Sequence, residues 1–278
     1  MTQLESGGVC VVTGAASGIG RALAGAFGSE GMRVVLADVN EPVLAEAVAE
    51  LAFAGVECVG QVTDVRDPAS VECLAEVALE RFGGVQVVCN NAGVSTMGKQ
   101  WEISVEDWDW VIGVCLGGVV NGVHSFVPRM LAQGGPAHVV NTASMGGLLT
   151  GPYIGPYVAA KHGVVGLSKG LRAELAGTGI GVSVVCPGMV STRILGGIRA
   201  HMDAIGAGGG VEVDFMFEVL ESGLATGMSA QDAAAMVLAA VKADQFWVLP
   251  NGAEHLPSVQ ADYDEMLASA TGPGTESA

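Results

Sequence analysis

The chain has 278 residues, half of them hydrophobic and 15% charged, with 12 Lys and Arg against 29 Asp and Glu and a formal net charge of −17. So acidic a chain lacks the basic patches that phosphate backbones and anionic headgroups require, which argues against a nucleic-acid partner and against docking on a membrane. The apolar content and 42 glycines argue against disorder and for one compact α/β domain with its sheet buried on both faces.

Short apolar runs alternate with longer amphipathic ones, the pattern of β-α units that lay parallel strands side by side through right-handed crossovers. Strands are predicted near Val9–Val12, Val34–Asp38, Val56–Val62, Val85–Cys89, His138–Asn141, Val182–Cys186 and Phe246–Leu249. Helices are predicted over Ile19–Phe27, Pro42–Phe53, Ala69–Arg81, Val105–Leu131, Tyr157–Ala176 and Ala230–Val241. The expectation is a Rossmann-type, doubly wound parallel sheet of about seven strands flanked by helices, in a single domain. Residues 193–228, which include Gly206-Ala-Gly-Gly-Gly210, break the rhythm and are expected to form a mobile, substrate-binding lid. Residues 252–278 are expected to form a fraying tail.

No secretory signal is read at the N-terminus, and no apolar run is expected to span a bilayer. The cysteines Cys10, Cys58, Cys73, Cys89, Cys115 and Cys186 include no Cys-x-x-Cys pair. They read as reduced core residues of a cytoplasmic protein. His124, His138, His162, His201 and His255 have no metal-like spacing, so no metal is expected and they read as structural or surface residues.

A glycine-rich turn, Thr13-Gly14-Ala15-Ala16-Ser17-Gly18-Ile19-Gly20, follows the first strand and opens the first helix. In that context small residues let backbone N–H groups and the helix N-terminus approach phosphate oxygens, so Gly14, Ser17, Gly18, Ile19 and Gly20 are candidate dinucleotide contacts. Asp38, at the end of the second strand, is placed to accept hydrogen bonds from the adenosine ribose hydroxyls. Its charge would repel a 2′-phosphate, which predicts NAD rather than NADP. Arg33 is the counter-argument, but it precedes the apolar core of the strand.

Further motifs follow in order: Asp64-Val65 after the third strand, Asn90-Asn91-Ala92-Gly93 after the fourth and Ser144 after the fifth. Tyr157-x-x-x-Lys161 and Pro187-Gly188-Met189-Val190-Ser191-Thr192 complete the series. From Val9 to about Val248 the chain resembles the short-chain dehydrogenase/reductase family. That resemblance implies that Asp64 and Val65 hold the adenine, while Asn90, Asn91, Ala92 and Gly93 shape the pocket beneath the ribose. It also implies that Pro187, Gly188, Val190 and Thr192 hold the nicotinamide carboxamide and that Lys161 holds the nicotinamide ribose.

The residues supply a chemistry of their own. A phenol titrates near pH ~10 in model peptides, so a tyrosine is a poor base unless a nearby cation favours its phenolate. Lys161, one helical turn beyond Tyr157, lies on the same face and can supply that charge. Tyr157 is therefore the expected general acid/base, with Ser144 hydrogen-bonding the substrate oxygen. One position departs from the family: Cys115 stands where an Asn is usual, and a thiol is a weak hydrogen-bond partner. Asn121, six residues on, lies on another helix face and cannot take over.

Residues expected to face substrate are apolar, namely Met145, Leu148, Leu149, Tyr153, Met189, Ile194, Leu195 and the run Phe215-Met216-Phe217. They predict an uncharged, hydrophobic secondary alcohol or ketone. Small and apolar residues on the helices around 105–131 and 157–176, together with the resemblance, predict a homo-oligomer, a dimer or tetramer. Two alternatives stay open: an NADPH-dependent carbonyl or ketoacyl reductase, and a catalytically impaired NAD-binding regulatory protein, the latter motivated by Cys115.

Overall fold

The computed structural model describes residues 7–206 and 210–270. The chain runs β1 (Val9–Thr13), α1 (Gly18–Ser29), β2 (Arg33–Asp38), α2 (Glu41–Phe53), β3 (Cys58–Val62), α3 (Pro68–Phe82) and β4 (Val87–Asn90). Then follow α4 (Val105–Ile112), a π-helical turn over Gly113–Gly117, α5 (Gly118–Gln133), β5 (Ala137–Thr142), α6 (Gly155–Glu174) and β6 (Ile180–Val185). The last third comprises β7 (Val190–Ser191), α7 (Ile194–Ala204), α8 (Gly210–Ala225), β8 (Met228–Ser229), α9 (Ala230–Ala243), β9 (Trp247–Val248) and α10 (Leu256–Ala270).

The main sheet has seven parallel strands in the order β3-β2-β1-β4-β5-β6-β9, and β7 and β8 form a separate pair. Strand order reverses between β1 and β4, which opens a crevice at their carboxyl ends. Alternation along each strand feeds two cores. Val9 and Val11 join Leu74, Phe126 and Val164 on the face covered by α3, α5 and α6, whereas Cys10 and Val12 join Leu23, Leu44 and Val237 on the face covered by α1, α2 and α9. Asn40, Asp67, Ser104 and Ser229 cap α2, α3, α4 and α9 with their side chains.

Several expectations are corrected. The helix read over Val105–Leu131 is interrupted by the wide turn at Gly113–Gly117, where glycines favour the helix poorly. By length and composition alone, Val105–Gln133 is apolar enough to cross a membrane, contrary to the sequence reading. Half of its most apolar window is buried against the body of the protein, as befits a core helix. The segment read as a lid carries two helices, α7 over 194–204 and α8 over 210–225, with a hydrophobic cluster of their own, because Leu195, Ile198, Met202, Val213 and Phe217 recur at helical spacing. Residues 207–209 of the glycine run lie outside the described residues. The segment read as a tail carries α10, and 271–278 lie outside the described residues. Cys73 is exposed and Cys58 half-buried, so only Cys10, Cys89, Cys115 and Cys186 are core thiols; all six are free.

Candidate active site

The crevice is stitched together by Thr13. Its Oγ1 accepts from the backbone N–H groups of Asn91 at 2.9 Å and Ala92 at 3.1 Å, while Asn91 Nδ2 donates to the Thr13 carbonyl at 3.0 Å. Thr142 Oγ1 donates to Asn91 Oδ1 at 3.3 Å, so the ends of β1, β4 and β5 share one network. Within the turn Gly14 has φ +65°, and a Cβ there would lie 2.9 Å from Ala92 Cα. A Cβ on Gly20 would overlap the Gly14 carbonyl. Ser17 heads α1 in extended geometry and its side chain makes no cap bond, so the first N–H groups of α1 are left for a ligand. Ile19 packs down towards the core from the same turn.

Asp38 Oδ2 accepts from Ala16 N at 3.1 Å and Oδ1 from Asn40 N at 3.0 Å, which fixes the carboxylate beside the glycine turn. Arg33 sits at the opposite end of β2, its guanidinium bonded to the Gly7 carbonyl and lying over Phe82. Asp64 is chelated by Arg66, with Nη2 to Oδ2 at 2.7 Å, and that hydrogen bond holds its carboxyl below the usual carboxylate range. Val65 beside it is buried. Asn121 donates to the Val65 carbonyl at 2.8 Å and so braces the turn after β3, away from Cys115.

At the other end of the crevice Ser144 leaves β5, and its Oγ accepts from Gly146 N at 3.0 Å. A Cβ on Gly146 would lie 3.4 Å from Tyr157 Cε1 and 3.5 Å from Ser144 Oγ, so both side chains flank one glycine. Lys161 is 2% exposed; its Nζ donates to the Thr142 carbonyl at 2.7 Å and lies 5.6 Å from the Tyr157 ring centroid. Ser144, Tyr157 and Lys161 are thus neighbours in space. Behind them burial pushes the Cys186 thiol up to about 12, so it remains protonated and inert.

Cys115 faces the same place. Gly93 lies between Lys161 Nζ and Cys115 Sγ, and Cys115 packs against Tyr157 and Ala160. Its Sγ accepts from Val94 N at 3.3 Å and donates to the Val94 carbonyl at 3.1 Å. The thiol, weak in each bond, therefore holds both polar groups of one residue's backbone.

Pro187, Gly188 and Met189 form the far wall. The Pro187 carbonyl accepts from Met145 N at 2.8 Å, Gly188 N donates to the Pro250 carbonyl at 2.9 Å, and Asn251 Nδ2 donates to the Met189 carbonyl at 2.8 Å. Val190 is buried where β7 pairs with β8, and Thr192 reaches back against Gly18. The predicted substrate residues divide: Met145, Leu148 and Leu149 belong to the sheet core, while Tyr153, Ile194 and Leu195 join the α7–α8 cluster beside Met97. Phe215 is 63% exposed and Phe217 is buried inside that cluster, so neither lines a common wall with Met189, which packs on Gly223.

Sequence reasoning missed Met97 and a polar contact between α4 and α7. His201 Nε2 lies 2.7 Å from Asp107 Oδ1, and the His201 ring stacks on Trp110 at 4.0 Å. The partners are 94 residues apart, and no local pattern links them. Among the described residues, no group of three or more His, Cys, Asp or Glu could hold a metal ion.

The crevice fits a dinucleotide in four independent respects: side-chain-free approach at Gly14 and Gly20, open N–H groups at Ser17, a fixed carboxylate at Asp38 and a buried ammonium at Lys161. The profile of the short chain dehydrogenase family matches residues 8–203. A 1-deoxy-11-beta-hydroxypentalenate dehydrogenase from Streptomyces exfoliatus is 40% identical over 243 residues, covering 87% of this chain and 82% of that protein. A short chain dehydrogenase/reductase from Burkholderia phymatum, solved in complex with NAD, superposes with a TM-score of 0.91 at 39% identity, covering 100% of this chain and 99% of that one. An actinorhodin polyketide ketoreductase solved with NADPH superposes with a TM-score of 0.77 at 34% identity, covering 91% and 100%. Sequence, fold and family profile agree, and the chain belongs to the short-chain dehydrogenase/reductase family of oxidoreductases, which use a nicotinamide cofactor.

Proposed function

We propose that this protein is an NAD-dependent dehydrogenase acting on an uncharged, hydrophobic secondary alcohol, or on the corresponding ketone in reverse. The observation that carries the reading is Lys161, an ammonium 2% exposed beside Tyr157. So buried a cation needs acceptors beyond the Thr142 carbonyl, and ribose hydroxyls would supply them. When bound, the nicotinamide accepts or donates the hydride at the substrate carbon. The chain's own residues handle the oxygen: Tyr157 takes the hydroxyl proton on oxidation and returns it on reduction, and Ser144 donates a hydrogen bond to the same oxygen. Lys161 stabilises negative charge on the Tyr157 oxygen, and Cys115 fixes the Val94 backbone that closes this wall.

The preference for NAD rests on Asp38, because its carboxylate stands at the glycine turn with Arg33 at the far end of the strand and Arg66 engaged by Asp64. The NADPH-bound ketoreductase is the observation that favours a second reading, an NADPH-dependent ketone reductase. Initial rates on a panel of apolar and charged alcohols and ketones, with each cofactor and followed in the nicotinamide absorbance band, test both. Faster turnover with NADPH overturns the NAD assignment. Cofactor binding without turnover of any compound establishes a regulatory protein instead. We further propose that the protein works in the cytoplasm as a homo-oligomer, a dimer or tetramer, which light scattering in solution checks.

A further inference from the structure

The helices α7 and α8 are held to the rest of the molecule largely by apolar contacts with Met97, Tyr153 and Ile154. Such contacts are non-directional and do not by themselves fix where a helix stops. The ion pair of Arg199 with Glu221 lies inside this region, and Arg199 also covers Phe217. His201 with Asp107 is different in kind, because it joins α7 to α4, 94 residues away in the chain.

Asp107 is 8% exposed. Its Oδ2 accepts from Ser104 Oγ at 2.8 Å, leaving Oδ1 for His201 Nε2 at 2.7 Å. A buried carboxylate is costly unless paired, so the closed position depends on that partner. Trp110, three residues on, presents its ring on the same helix face and receives the imidazole at an interplanar angle of 20°. Asp107 and Trp110 therefore make a socket with one polar wall and one aromatic wall. Lifting α7 would expose Asp107 to water, which would offset part of the lost contact.

We propose that His201 is a positioning residue: seated between Asp107 and Trp110, it latches α7 onto α4 and holds the cover over the substrate side of the site shut. The socket stands one turn before the wide turn that carries Cys115, so the latch ties the cover to the helix that also forms the catalytic wall. This rests on the reading of α7 and α8 as a substrate cover in a hydride-transfer enzyme.

His201→Ala removes a charge-assisted bond and is expected to raise substrate KM about tenfold, equivalent to about 1.4 kcal/mol. Turnover at saturation is expected to stay within about twofold, since the loss falls on binding rather than on the chemical step. Cofactor affinity stays unchanged, His201→Gln restores most of the KM, and adding Asp107→Ala to His201→Ala costs little more because the pair acts as a unit. Hydrogen exchange supplies a readout that needs no substrate: amides of Ile194–Ala204 exchange faster in His201→Ala while those of α6 do not. Unchanged exchange in α7 overturns the latch. So does a parallel fall in turnover and cofactor affinity, which marks a merely structural contact. If the wild-type protein turns over nothing, the hydride-transfer reading fails, and the exchange measurement alone decides whether His201 latches α7.

Discussion

The two sides of the crevice are built on different principles. On the cofactor side, backbone meets backbone: Gly20 leaves no room for a methyl beside the Gly14 carbonyl, and one hydroxyl, Thr13 Oγ1, ties two strand ends together. On the substrate side, α7 and α8 rest on side chains, with apolar packing against Met97 and Tyr153 and a single imidazole bridging to α4. The first arrangement tolerates almost no change of volume. The second can slide, because close-packed apolar surfaces shift more cheaply than paired backbones break. An oxidoreductase that holds a nicotinamide cofactor and must also admit and release a substrate is served by that asymmetry.

Substitutions on the two sides should separate accordingly. Tyr157→Phe leaves cofactor affinity intact and lowers turnover by about 10³-fold, towards the upper range for losing a general acid/base. Residual activity near wild type would remove Tyr157 from the proton path. Gly20→Ala forces the turn apart, costs about 2 kcal/mol of stability by overpacking and abolishes cofactor binding by calorimetry. A variant that binds cofactor normally would show the fixed side to be as pliant as the cover.

His138, on β5 beneath the fixed side, supplies a pH test. Burial lowers it from 6.5 to about 4, so the native state holds it neutral beside Ser183 while the unfolded chain takes up a proton first. The folded value lies below the unfolded one, so this contribution is complete above about pH 6.5 and is lost as pH falls towards 4, by about 3 kcal/mol in all. Urea unfolding across that window checks it, with His138→Gln expected to flatten the slope. Asp38→Ser should weaken NAD about tenfold and strengthen NADP, as loss of a charged acceptor and of a repulsive charge dictates. Smallest of all, Cys115→Ser preserves both bonds to Val94 and should keep turnover within about threefold, whereas Cys115→Ala loses them and falls further.

What could be read from the sequence follows the same division. The glycine turn, Asp38 and the Tyr157–Lys161 spacing are local patterns, and the parallel sheet of seven strands follows from alternating β-α units. The wide turn at Gly113–Gly117 left no signature beyond its glycines, because one additional residue per turn does not alter an apolar run. The fate of Cys115 was illegible for another reason: its partner is a backbone, and backbones carry no sequence signal. The glycines of 206–210 interrupt the apolar period on either side of them, so the lid was legible as a segment but its two helices were not. His201 and Asp107 were each legible as a type, but their meeting depends on how α7 is laid across α4.

The wall formed by Pro187, Gly188 and Met189 carries a consequence for how the molecule comes into being. Its polar groups are answered by Pro250 and Asn251, and β6 receives its outer neighbour only when Trp247 and Val248 arrive. A growing chain can complete the glycine turn and the Tyr157–Lys161 helix before that moment and still lack this wall. The wall is therefore finished only once residues 247–251 have joined the sheet, later than the glycine turn that faces it across the crevice.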